Sequence, residues 1–142
     1  MSETETFETI RYTADVVVLT PDGDALLIER DWPPFEGHWA IAGGHVDIGE
    51  TSRQAAAREL AEETGVHVAA DDLRQIGVFD QPDRDPRGRY VTVAYTVTVP
   101  AGTPIIAGDD ARTARWWPLS KLPGRLAFDH ADILRAATAP RA

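Results

Sequence analysis

The chain has 142 residues, the length of one domain, and 43% of them are hydrophobic, enough for a core without covalent staples. It contains no cysteine, which excludes disulfides, thiolate metal sites and a cysteine nucleophile. Its 23 acidic and 14 basic residues leave a formal charge of −9, which repels a nucleic-acid backbone but still admits an anionic small molecule if a divalent cation lies between them.

Residues 1–8 are acidic and polar, with no basic stretch leading into an apolar run, so no signal peptide is expected. The longest apolar stretch, residues 14–19, is too short to span a bilayer and is broken by Asp15. No membrane association is expected, and the cytoplasm is the default location. Residues 11–20 are rich in β-branched side chains and stop at Pro21-Asp22-Gly23, a turn signal; residues 25–30 return as a second strand of a hairpin. Residues 31–37 read as a loop, and residues 39–42 as a short strand entering Gly43-Gly44. The spacing predicts a helix over Ser52–Thr64: Thr51 and Gln54 have capping-box spacing, and Gly65 sits where a left-handed C-terminal cap belongs. Residues 73–79 and 90–99 read as strands around a polar loop, residues 80–89. In the second of them Val91, Val93, Tyr95, Val97 and Val99 share a face. A turn-rich segment follows, then a short strand at residues 115–118 and a last helix starting at Asp129. This order predicts a mixed sheet between helices, an α/β class.

The helix breaks local rules. At about 100° per residue, Arg58, Glu59, Glu62 and Glu63 share one face and Ala56, Ala57, Leu60 and Thr64 the other. Glu59 stands at like-charge spacing from Glu62 and Glu63, which costs about 0.2–0.5 kcal/mol per pair. Glu62 and Glu63 also meet the negative end of the helix dipole, at about 0.3–1 kcal/mol. Arg58 offsets part of this. A solvated charged face is the ordinary explanation, but repeated violation of this kind marks functional sites. Three carboxylates converging on one point are hard oxygen ligands suited to Mg²⁺ or Mn²⁺.

Gly44, Glu50, Arg58, Glu59, Leu60, Glu62, Glu63, Gly65 and Val66 fall at the nine defined positions, over residues 44–66, of the pattern G-x5-E-x7-R-E-U-x-E-E-x-G-U, where U is a bulky aliphatic residue. On this motif the chain resembles the Nudix hydrolases. The resemblance implies a single domain over residues 1–142 with the Nudix α/β/α sandwich around a mixed β-sheet. It implies hydrolysis of the pyrophosphate bond of a nucleoside diphosphate linked to another group. It implies metal ligation by Glu59, Glu62, Glu63 and the carbonyl of Gly43, with Glu50 supporting the loop and Arg58 orienting the glutamates. The partner is then a small-molecule nucleotide, and relatives are commonly homodimers.

Relatives often carry a glutamate two or three residues before a tryptophan, where this chain has Thr113 and Ala114 before Trp116. The general base is therefore sought at Asp110, at Asp109 or among the glutamates of the motif, with a plain polar turn as the alternative for Asp109-Asp110. Residues 33–39, 80–95 and 126–134 are similar to the ADP-ribose pyrophosphatase branch, which implies ADP-ribose or a nucleotide sugar as substrate. Ala42 stands where proline is usual in that branch, and His45 where phenylalanine is common. Arg84, Arg87 and Arg89 are candidates to grip phosphates, or else belong to a solvated hairpin tip. Arg30 and Phe35 are further candidate substrate contacts, and Trp32 and Tyr90 candidates to stack on a base. Trp39 is a core residue on the same reading, and Trp116-Trp117 close the core. His38, His45, His67 and His130 have no ligand spacing and read as surface or structural residues. The alternatives are hydrolysis of nucleoside triphosphates or dinucleoside polyphosphates, and a sensor that binds ADP-ribose without cleaving it.

Overall fold

A computed structural model describes residues 4–108 and 111–140. Seven strands and two α-helices follow in the order β1 (Arg11–Leu19), β2 (Asp24–Arg30), β3 (Trp39–Ala40), β4 (Ala42–His45), α1 (Ser52–Thr64), β5 (Arg74–Phe79), β6 (Tyr90–Thr98), β7 (Ala111–Pro118) and α2 (His130–Thr138), with short 3-10 turns at Ala70–Asp72 and Leu119–Lys121. The strands form one mixed sheet. β1 runs parallel to β6 through the crossover that carries α1, and β6 is antiparallel to β5.

β1 explains why the run from Ala14 to Val18 is apolar on both faces. Ala14, Val16 and Val18 point to one side, where they pack with Ala55, Ala56 and Leu60 of α1 and with Val93 and Tyr95 of β6. Val17 points to the other, where it meets Ile133, Leu134 and Ala137 of α2 together with Leu27 and Ala94. Helices thus cover both faces of the sheet, the α/β/α layering expected. The alternating face of β6 is observed: Val93, Tyr95 and Val99 sit in the α1-side core, with Val97 packed against it.

Helix α1 has the ends its sequence encodes. Thr51 Oγ1 accepts from Gln54 N–H while Gln54 Oε1 accepts from Thr51 N–H, and Gly65 closes the helix at φ 72°. α2 starts one residue after Asp129, whose carboxylate is taken by Arg84 and makes no cap.

Two elements differ from expectation. Residues 39–42 form the ends of two strands, not one. β3 pairs with β2, while β4 pairs with β1 through Thr13↔His45 to Val16↔Ala42. Between them the Ile41 N–H leaves the ladder and donates to His130 Nδ1 at 3.1 Å. β7 starts at Ala111, not Arg115, because it follows β2 over its whole length, with a register shift at Glu29/Arg30. As an edge strand it has little need of apolar alternation, which hid its first half.

β1 and β2 pair at Leu19↔Ala25, at the hairpin, and diverge beyond it. β4 takes the place beside β1, β3 the place beside β2, and a cleft opens where they part. Among the described residues, no helix is long and apolar enough to cross a membrane.

Leu60 is fully buried between α1 and the sheet. Leu60→Ala is expected to lower unfolding stability by about 2–5 kcal/mol, read from the denaturant midpoint at unchanged slope. A loss below about 1 kcal/mol would contradict this packing.

Candidate active site

Arg58 organises the front of the cleft. Its Nε and NH2 donate to Glu50 Oε2 and Oε1 at 2.8 and 2.9 Å, and NH2 also donates to the His45 carbonyl at 2.9 Å. NH1 donates to Glu59 Oε1 at 2.9 Å and Glu62 Oε2 at 3.1 Å. One guanidinium thereby ties α1 to β4 and to the loop before the helix. Glu50 first, and then Glu59, hold its own pKa above the usual range against the cost of burial. In return Arg58, helped by the Asp47 N–H at 2.9 Å, holds the Glu50 carboxyl at about 2.

Glu59 and Glu63 line a cavity of about 390 Å³, together with Gly43, Gly44 and Asp47. Burial pushes the Glu59 carboxyl up, against the pull of Arg58, and Glu62 raises it further. Glu63 is buried, and its Oε1 accepts from Gly43 N–H at 2.8 Å. The glycines are needed for close approach: a Cβ on Gly44 would lie 2.6 Å from Glu59 Oε1, and one on Gly43 would collide with Asp15 Oδ1 and the Ala14 carbonyl. Glu62 lies outside the cavity lining, with a side chain 57% exposed. The three glutamates therefore do not meet at one point: among the described residues, no three His, Asp or Glu side chains are gathered as a metal cage.

Arginines line the cavity as well. Arg30 donates to the carbonyls of Pro34 at 2.7 Å and Trp32 at 3.4 Å, and lies over the Phe128 ring at 4.9 Å. Arg87 makes a bidentate pair with Asp85 and lies over Tyr90 at 4.7 Å. Burial and then the neighbouring Arg87 lower the pKa of Arg30; it stays charged. Arg84 is buried and bidentate to Asp129 at 2.9 and 2.7 Å. Burial opposes its charge, and Asp129 more than compensates. The solvated hairpin tip is thus not what forms, since Arg84 and Asp85 are buried. Arg89 pairs with Glu8 at 3.1 Å and is not among the residues lining the cavity. Phe35 also lies behind the lining, edge-on to Phe128 at 4.9 Å. Trp32 is exposed at the rim, and Trp39 packs on Trp117 in the α2-side core. Asp110 and Asp109 lie outside the described residues.

The sequence reading missed Asp15, Thr92 and Asp85 and assigned His130 only a structural part. A lone aspartate inside an apolar strand was the available signal. Asp15 is buried on the α2 side of β1; its Oδ2 accepts from Thr92 Oγ1 at 2.6 Å, and Oδ1 lies 4.0 Å from His130 Nε2.

The molecule is thus an α/β sandwich in which glycines, carboxylates and guanidiniums line one cavity. Residues 9–137 match the NUDIX domain, and the chain belongs to that family, the Nudix hydrolases, which act on pyrophosphate bonds. It is 42% identical over 118 residues to an ADP-ribose pyrophosphatase of Methanocaldococcus jannaschii, covering 83% of this chain and 68% of that one. The NUDIX domain of Shewanella oneidensis NrtR, solved with ADP ribose, matches at a TM-score of 0.82 and 32% identity, over 92% of this chain and 88% of that one. A bifunctional NMN adenylyltransferase/ADP ribose pyrophosphatase of Francisella tularensis, solved with AMP and a Mn ion, matches at 0.78 and 29%, over 92% of this chain and 41% of that one.

Glu50 supplies a pH test. Its folded pKa is depressed, so its stabilisation is complete above about 4.5 and is lost as pH falls towards 2. Glu50→Gln is expected to melt below the parent at pH 7, with the gap closing as pH approaches 2. A gap independent of pH would refute the pairing with Arg58.

Proposed function

We propose that the chain hydrolyses the pyrophosphate bond of ADP-ribose or a related nucleotide sugar with a divalent cation, Mg²⁺ or Mn²⁺, releasing a nucleoside monophosphate and a sugar phosphate. The observation that carries this reading is one cavity lined by Glu59 and Glu63 and also by Arg30 and Arg87. The relatives named above favour ADP-ribose. The donor chemistry fits the cation: hard carboxylate oxygens, a half-buried Glu59 whose charged form is partly desolvated, and a glycine pair that lets the backbone come close. Glu59, Glu63 and the Gly43 carbonyl would hold it, with Glu62 swinging in from its exposed position. Bound there, the cation would neutralise non-bridging oxygens and acidify a water.

The chain's own groups do the rest. Arg30 holds the diphosphate by charge-assisted hydrogen bonds, with Arg87, already paired to Asp85, beside it on the cavity wall. Arg58 keeps Glu59 and Glu62 oriented. Asp110 is our candidate to accept the proton of the attacking water. The segment leading to it supports this: Ile106 N–H bonds the Thr64 carbonyl and Gly108 N–H the Glu63 carbonyl, each at 2.8 Å, at the end of α1.

A panel of pyrophosphates assayed with Mg²⁺, products identified by mass, tests the reading. ADP-ribose should give AMP and ribose 5-phosphate at a higher kcat/KM than any nucleoside triphosphate, with turnover abolished by chelator and restored by Mg²⁺ or Mn²⁺. Preference for a triphosphate or a dinucleoside polyphosphate would overturn the substrate, turnover in excess chelator the metal, and tight binding without products the hydrolysis itself.

Glu63→Gln should separate activity from folding. The amide can still accept from Gly43 N–H, while one charge leaves a like-charge pair and the wrong end of the helix dipole. Without metal the variant should be as stable as the parent, or more stable by at most about 1 kcal/mol. The parent should gain more stability from added Mg²⁺ than the variant, and kcat should fall by orders of magnitude. A variant that melts several degrees lower without metal while staying active would make Glu63 a structural residue.

A further inference from the structure

The α2 side of the cavity holds a polar pair that the proposed cleavage chemistry does not use. His130 is buried, and the Ile41 N–H donates to its Nδ1 at 3.1 Å. That bond fixes the neutral tautomer: Nδ1 accepts, so Nε2 carries the proton. Burial favours the same neutral form by lowering the pKa of the ring, and Arg84 and Arg30 lower it further, against the opposing pull of Asp15 and Asp129. Both His130 and Asp15 line the cavity. Thr92 occupies Asp15 Oδ2 at 2.6 Å, which leaves Oδ1 as the oxygen facing His130 Nε2, 4.0 Å away.

A separation of 4.0 Å is too long for a direct hydrogen bond. It is the right span for one oxygen seated between the two atoms at about 2.8 Å from each. That oxygen would have to accept from Nε2–H and donate to a carboxylate oxygen. A hydroxyl does both; a phosphate oxygen would be repelled by Asp15, and an ether oxygen has nothing to donate. Gly43 packs its backbone against Asp15, since a side chain there would collide with Asp15 Oδ1, and so holds the carboxylate in place.

We propose that Asp15 Oδ1 and His130 Nε2 together bind one hydroxyl of the substrate's sugar, which makes the pair a specificity determinant for sugar-bearing diphosphates. This rests on the nucleotide-sugar reading above. A site built to hydrogen-bond a hydroxyl discriminates strongly against the analogue lacking it, because both buried partners are left unpaired.

The experiment measures kcat/KM for ADP-ribose and for its analogues lacking one ribose hydroxyl at a time, with the wild type and with D15N. Asparagine is isosteric, and Thr92 keeps the amide oxygen on its own side, so the cavity then meets an NH2 donor in place of an acceptor. In the wild type one deoxy analogue should lose roughly 10- to 150-fold and the others little. D15N should lose a similar factor on ADP-ribose and almost nothing further on that one analogue. If every deoxy analogue stays within about threefold of ADP-ribose, or if D15N slows all substrates equally, the pair holds only a structural water and the inference fails. Should D15N not fold, the wild-type series decides alone. Failure of the substrate reading looks different: ADP-ribose is then a poor substrate of the wild type, and the same deoxy series, run on the nucleotide that is cleaved, still tests the pair.

Discussion

The cleft depends on one guanidinium. Arg58 is the point at which α1, β4 and the intervening loop are joined, through Glu50, the His45 carbonyl, Glu59 and Glu62. Lysine would not replace it, since a single ammonium cannot address these acceptors in the fixed directions that a planar fork allows. The balance of charge around it matters as much as the geometry. Four carboxylates, Asp47, Glu50, Glu59 and Glu62, share one cation, and Glu50, with two of the hydrogen bonds, takes the largest part of it. Glu59 is left incompletely compensated and partly desolvated, so burial wins and its pKa rises. The helix is folded around a charge deficit that a divalent cation would relieve, and the carboxylates are kept at the expense of local helix stability.

The second constraint is the divergence of β1 from β2. A regular hairpin would have closed the sheet at this point and left no cleft. Instead β4 pairs with β1, β3 pairs with β2, and Ile41 crosses between them with its N–H given to His130. The backbone donor that the sheet gives up is thus the group that sets the tautomer of a cavity histidine. α2 meets the cleft through a similar substitution: Asp129, at the position where an aspartate would cap the helix, is bound to Arg84. Arg84 is thereby committed to holding residues 80–89 against the start of α2, which places Asp85, Arg87 and Tyr90 on the cavity wall.

Much of this was legible in the sequence because it is local. The α1 caps, the apolar run of β1 and the alternation of β6 each depend on residues a few positions apart, and each is found in the structure. The spacing of Glu59, Glu62 and Glu63 set α1 apart for the same reason, although only Glu59 and Glu63 line the cavity. What could not be read depends on contacts between distant segments. Asp15 and Thr92 are 77 residues apart, and Ile41 and His130 are 89 apart; nothing local says that an aspartate in one strand faces a threonine in another. The arginines between residues 84 and 89 show the limit well. Their spacing suggested a single phosphate-gripping cluster. In the fold each meets a different acid, Asp129, Asp85 or Glu8, and Arg89 ends up outside the cavity lining.

These pairings decide how an acidic protein receives a polyanion. The cavity is lined by three arginines, Arg30, Arg84 and Arg87, and by six acids, Asp15, Asp31, Asp47, Glu59, Glu63 and Asp85. Arg84 and Arg87 are each matched by a bidentate carboxylate, so neither adds net attraction for an incoming diphosphate. Arg30 hydrogen-bonds to two neutral carbonyls and is propped against Phe128, which leaves it the best placed of the three to meet phosphate. Carboxylates still outnumber guanidiniums in the lining, and a diphosphate brought to about 4 Å from one of them meets a repulsion of about 4 kcal/mol at an effective dielectric of about 20. On the proposed reading, a divalent cation near Glu59 and Glu63 would supply the further positive charge that binding needs. Metal and substrate would then bind cooperatively, because each would neutralise part of what repels the other.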